Sequence, residues 1–115
     1  MWPFSDDVLD ALGRMTKTGT VLGEVLAERF AQHEKWGVQS WPNGTGGEQA
    51  RILADGARAL TDRAAKDGTL TYRNILEEEV YEAFAESDPE KLKVELVQVA
   101  AVACAWAEKL DREKE

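Results

Sequence analysis

Apolar residues recur at intervals of three and four along most of the chain, with no sustained strand alternation, and this period predicts an all-α protein. A first helix is expected after Ser5, an N-cap followed by Asp6 and Asp7, with Val8, Leu9, Leu12 and Met15 on its apolar side. Lys17-Thr18-Gly19-Thr20 reads as a break. A second helix, Val21 to about Lys35, carries Leu22, Val25, Leu26 and Phe30 and ends near Trp36-Gly37. Residues 37–47 hold four Gly, Pro42 and Asn43 and predict an irregular loop of the lid or packed Ω type, with Trp41 inside it. A third helix should run from about Glu48 to Lys66, with Ala50, Leu53, Ala54, Ala57 and Leu60 inward and Asp67-Gly68 as its stop.

Thr71 is placed to cap a fourth helix, Tyr72 to about Glu86, and Asp88-Pro89 to open a fifth that reaches about Arg112. The stripe Leu92, Leu96, Val99, Ala100, Ala103, Ala107 and Leu110 is its expected core face. The link at Ser87-Asp88 is so short that these two helices must form an antiparallel hairpin. The architecture predicted is therefore a helical bundle built on a hairpin at about residues 72–112, with two or three additional helices. Oligomerisation is expected to complete it, because so thin a hairpin cannot cover its own apolar stripes.

Chemistry enters on this hairpin. In the fourth helix Leu76, Val80, Ala83 and Phe84 form one arc, and Glu79, Glu82 and Glu86 fall beside it. In the fifth, Glu95 and Gln98 border the arc at the offsets that Glu79 and Glu82 have. When the arms close, these positions converge on one space, where several carboxylates repel unless a cation neutralises them. Hard Mg²⁺, or Mn²⁺, prefers such oxygen ligands. The bland alternative is that a Glu-rich helix is a solvated face.

Composition narrows the rest. With 115 residues the chain is expected to be one domain with a real core. One Cys and one His leave no structural zinc set and no internal disulfide, which fits a reducing compartment. A net charge of −8 with no basic run argues against duplex nucleic acid or an anionic membrane as partner. The N-terminus lacks a signal-peptide pattern and no long apolar run is present, so a soluble cytoplasmic protein is expected. Gly44-Thr45-Gly46-Gly47 is not a P-loop, since no Gly-Lys-Ser/Thr follows and no strand precedes it. Cys104 reads as a buried, inert thiol.

Glu79-Val80-Tyr81-Glu82, then twelve residues, then Glu95-Leu96-Val97-Gln98 resembles the paired acidic motifs of the MazG-like all-α nucleoside triphosphate pyrophosphatases. Glu78 matches that family's preceding glutamate, and Glu28-Arg29 through Gln32, Lys35-Trp36-Gly37 looks like a segment of its small bacterial and phage members. The resemblance covers roughly residues 20–110, leaving residues 1–19 as an N-terminal extension, expected to be helical, before a domain of residues 20–115. It implies a metal held by Glu79, Glu82, Glu95 and Gln98, with Glu78 and Glu79 catalytic, and cleavage of a nucleoside triphosphate to monophosphate and pyrophosphate. It further implies a homodimer or homotetramer. Product pyrophosphate needs cationic neighbours, for which Arg51 and Arg73 are candidates, and Trp36, His33 and Lys35 are candidate substrate contacts, a surface or helix-end position being the alternative for His33. Arg58 and Lys91 are further candidates for the phosphates, and Trp36 and Trp41 for stacking a base. Gln98 stands where the family has Asp, so the ligand set carries one charge fewer. Two other readings stay open: a nucleotide-binding protein of little turnover on the same scaffold, and a helical interaction module without a nucleotide site.

Overall fold

The computed structural model describes residues 16–115. The helix expected after Ser5 lies outside the described residues, as does most of the N-terminal extension. Four helices follow one another: α1 (Thr16–Trp36), α2 (Glu48–Asp67), α3 (Tyr72–Ala85) and α4 (Pro89–Glu113), and among the described residues there is no strand. The all-α expectation is met. Among the same residues no helix is long and apolar enough to cross a membrane. The chain divides into two compact units, the described part of Met1–Ser40 with Ala107–Glu115, and Trp41–Trp106.

In the first unit α1 runs without interruption through Gly19, correcting the break expected at residues 17–20. Two long-range contacts and one local bond lie along this turn. Lys17 pairs with Glu115, the Thr18 hydroxyl donates to the Glu108 carboxylate, and Thr20 Oγ1 donates back to Thr16 O at 3.3 Å. The roughly 1 kcal/mol by which a glycine disfavours a helix interior is small enough for a 21-residue helix to absorb. The helix stops where Gly37 takes φ 69° and its N–H donates to His33 O at 2.8 Å. Val21 is buried, whereas Leu22, Val25, Leu26 and Phe30 are exposed.

The second unit is a run of antiparallel neighbours. Gly68 closes α2 in the left-handed conformation (φ 75°), and the Thr69 N–H donates to Ala64 O at 2.8 Å. Three residues on, Thr71 and Asn74 form a capping box: the Asn74 N–H donates to Thr71 Oγ1 at 3.1 Å and the Thr71 N–H to Asn74 Oδ1 at 3.0 Å. Asp88 Oδ2 accepts from the Lys91 N–H at 3.0 Å, with Pro89 in the first helical position of α4. These stops and starts fall where the sequence puts them.

Packing is tight because the contact residues are small. Ala54, Ala57 and Thr61 form the buried stripe of α2, and Thr61 Oγ1 donates to Asn74 O of α3 at 3.0 Å. Ala83, Leu92 and Cys104 are the buried positions of α3 and α4 in this unit. Tyr72 stacks on Trp106 with ring centroids 5.8 Å apart, while Glu79 and Glu82 meet Glu95. Low numbers on α3 thus face high numbers on α4, and the antiparallel hairpin is confirmed.

The face of α4 differs from expectation. Leu92 and Cys104 are buried, Glu95, Val99, Val102, Ala105, Trp106 and Ala107 are partly covered, and Leu96, Ala100 and Ala103 are exposed. The helix is rotated so that Glu95, rather than Leu96, turns toward α3. On α2, Leu53 and Leu60 are likewise exposed, because the Ala54–Ala57–Thr61 edge is the one that lets the backbones approach.

Candidate metal centre

Glu79 and Glu82 stand one turn apart on α3, and Glu95 comes from α4. One carboxylate oxygen of each lies within 4.8 Å of the others, and all three residues are half-buried. Neighbouring ligand oxygens around a Mg²⁺ held at about 2.1 Å lie about 3.0 Å apart, so the three carboxylates would have to draw together by up to about 2 Å to share one ion. Three carboxylates and an amide are the donor chemistry that Mg²⁺ or Mn²⁺ takes.

Gln98, one turn beyond Glu95, completes the group. With the amide nitrogen facing the carboxylates it donates to Glu95 Oε2 at 3.1 Å and to Glu79 Oε2 at 3.3 Å. The opposite amide orientation presents the oxygen to the same space, and it is the one that ligating a cation needs.

Burial pushes the Glu79 carboxyl above the ordinary carboxylate range, and the charges of Glu82, Glu95 and Glu78 push it the same way. Glu78 is raised by burial first, then by Glu82 and Asp62, against a lowering pull from Arg58. Like charges gathered out of water resist ionisation, and a cation relieves both effects at once.

Arg58 of α2 supplies part of that relief from within the chain. Its Nη2 and Nε donate to Glu82 Oε1 at 2.5 and 3.2 Å, and its Nε lies 3.7 Å from Glu78 Oε1. The hydrogen bond to Glu82, then the Glu82 charge, raise the Arg58 pKa. Taken along α2 alone, Arg51, Asp55, Arg58 and Asp62 resemble exposed pairs within one helix, which hides this link. The signal that finds it is the short connection at 68–71, since folding α2 onto α3 about it sets position 58 against position 81 or 82.

Comparison with known proteins finds no matching family model, curated protein or solved structure. The site therefore stands on its own geometry.

The remaining sequence candidates lie within one unit or the other. Arg51 pairs with Asp55 at 4.0 Å along α2, and Arg73 Nε donates to Glu77 Oε1 at 3.0 Å along α3; both arginines are exposed. His33, Lys35 and Trp36 occupy the last turn of α1 in the first unit, where Lys35 Nζ sits 4.9 Å from the centre of the Trp36 ring. Trp41 is exposed.

Proposed function

We propose that this chain is a Mg²⁺- or Mn²⁺-dependent nucleotide pyrophosphohydrolase of MazG-like type. The observation that carries the reading is the convergence of Glu79, Glu82 and Glu95 from both arms of one hairpin, with Gln98 against two of them. The paired acidic motifs supply the resemblance. A bound cation would neutralise phosphate oxygens and acidify the attacking water. The water oxygen bonds to phosphorus, the anhydride bond between the α- and β-phosphates breaks, and monophosphate and pyrophosphate leave.

The chain's own residues fit named parts of that task. Glu79, Glu82 and Glu95 are ligands and Gln98 is the neutral fourth. Glu78, raised by burial and beside Arg58, is suited to take the proton from water. Arg58, drawn to Glu82 without a cation, is free to turn to phosphate once a cation holds that carboxylate. Arg51, Arg73, His33, Lys35 and Trp36 are assigned to substrate contacts on the sequence alone. The apolar side chains exposed on α1 and α2 support a homodimer or homotetramer.

The test is pyrophosphate release from a panel of ribo- and deoxynucleoside triphosphates with Mg²⁺ and Mn²⁺, beside Glu79→Gln. Metal-dependent release lost in the variant is the expected result, and absence of release from every substrate overturns it. One observation favours a second reading, a nucleotide binder of little turnover: Gln98 brings no charge to the cluster. That reading expects affinity without release, and a gain in turnover for Gln98→Asp.

A further inference from the structure

An open cavity of about 750 Å³ lies at the end of the second unit where α2 and α4 begin and α3 ends. Its apolar floor is Leu53, Ala83, Phe84, Leu92 and Leu96, and its lip is the glycine-rich turn 44–47 with Asn43, Thr45 and Gln49. The lip is fixed in place. The Gly46 N–H donates to Phe84 O at 2.8 Å, and a side chain at Gly46 (φ +94°) would set its Cβ 3.1 Å from that of Ser87. The volume falls within the range of small-molecule sites, about 300–1,000 Å³, and an apolar floor with a few polar groups at the rim is their usual build.

Position and charge say what such a cavity would take. Ala83 follows Glu79 by four residues on α3, and Leu92 precedes Glu95 by three on α4, so the floor adjoins the carboxylate cluster one turn away. Glu48 is the only charged residue of the lining, and no cation faces the cavity to hold phosphate. The Phe84 ring, half-exposed and set edge-on to Tyr81 at 82°, presents an aromatic surface to the cavity.

We infer that this cavity is the subsite for the nucleoside end of the substrate, a heterocyclic base against Phe84 with its sugar toward the carboxylates. Resting on the pyrophosphohydrolase reading, it assigns the phosphates to the metal centre and substrate choice to the 43–49 rim and Phe84.

Calorimetric titration of the full chain with Mn²⁺, inorganic tripolyphosphate and α,β-methylene nucleoside triphosphates tests it. The preferred analogue should bind about tenfold or more tightly than tripolyphosphate. Phe84→Leu, which keeps apolar volume and removes the ring, and Ala50→Trp, which fills the cavity, should each erase that advantage and leave tripolyphosphate binding unchanged. Analogues no tighter than tripolyphosphate, or an advantage that survives in Phe84→Leu, overturn the subsite while leaving the metal centre standing. Failure of Mn²⁺ and tripolyphosphate to bind at all overturns both. A change in sedimentation of Phe84→Leu with nucleotide binding intact identifies a second copy as the occupant and overturns the subsite too. Helical circular dichroism guards against misfolding of Ala50→Trp, and Phe84→Leu carries the test if that variant does not fold.

Discussion

Side chains on α1 and α3 invert the usual order of exposure. The Glu78 and Glu82 side chains of α3 are only 20% and 17% exposed, whereas Leu26 and Phe30 of α1 are 71% and 66% exposed. Withdrawing carboxylates from water costs free energy that packing alone does not return, and leaving a Leu–Phe stripe in water forgoes about 1.5–3 kcal/mol per side chain. Under the proposed function each of these features is met by something that joins the chain. For α3 the geometry fits a cation; for α1 the pattern fits another apolar surface.

The sharpest way to break this comparison is at the carboxylates. Glu79→Gln is expected to lower pyrophosphate release about a hundredfold or more while the fold survives, because a charge leaves a crowded cluster. In the native protein, Mn²⁺ at about a hundred times its dissociation constant should stabilise by about 2.7 kcal/mol, an effect absent from Glu79→Gln in thermal melts. Next in size is the apolar side. Leu26→Glu with Phe30→Glu should convert the proposed dimer or tetramer to monomer in sedimentation experiments, whereas a wild-type chain that already sediments as a monomer removes the need for a cover.

A third effect is electrostatic. Glu78 and Glu79 are raised above the ordinary value of 4.5, so the folded chain binds their protons more readily than the unfolded chain. The stability they contribute is fully present below that value and lost as pH rises through the raised ones. Metal-free melting temperatures should therefore fall over this window relative to Glu79→Gln, and saturating Mn²⁺ should remove the difference. Arg58→Ala should deepen the fall and tighten Mn²⁺ binding, since Glu82 loses its competing guanidinium. The smallest effect belongs to Thr71→Ala, where loss of the α3 cap should cost about 1 kcal/mol in denaturant titration with no change in metal affinity.

Helix limits were legible in the sequence wherever a local device sets them: Gly68, the Thr71–Asn74 box and Asp88-Pro89. Lys17–Thr20 suggests a break in the sequence, yet α1 continues through Gly19, and the partners of Lys17 and Thr18 there, residues 115 and 108, lie far along the chain. The acidic trio was legible because both pairs share a three-residue spacing and a short hairpin brings them together. Its electrostatic setting was not, since Arg58 reaches it from a third helix. Periodicity likewise gave an apolar arc on α4 but not its rotation, because Leu96 and Glu95 are about 100° apart and the period alone does not say which turns in.

The short connections at 68–71 and 86–88 bear on how quickly the second unit takes shape. Each of its helices packs on its neighbour in the chain, so no distant segment has to be found before contacts reward the search, and this low separation of partners favours fast folding. The acidic trio spans only positions 79–95, and closing a loop of that length carries a small entropic cost. The centre is thus expected to assemble on the timescale of a helical hairpin, ahead of any slower arrangement elsewhere in the chain.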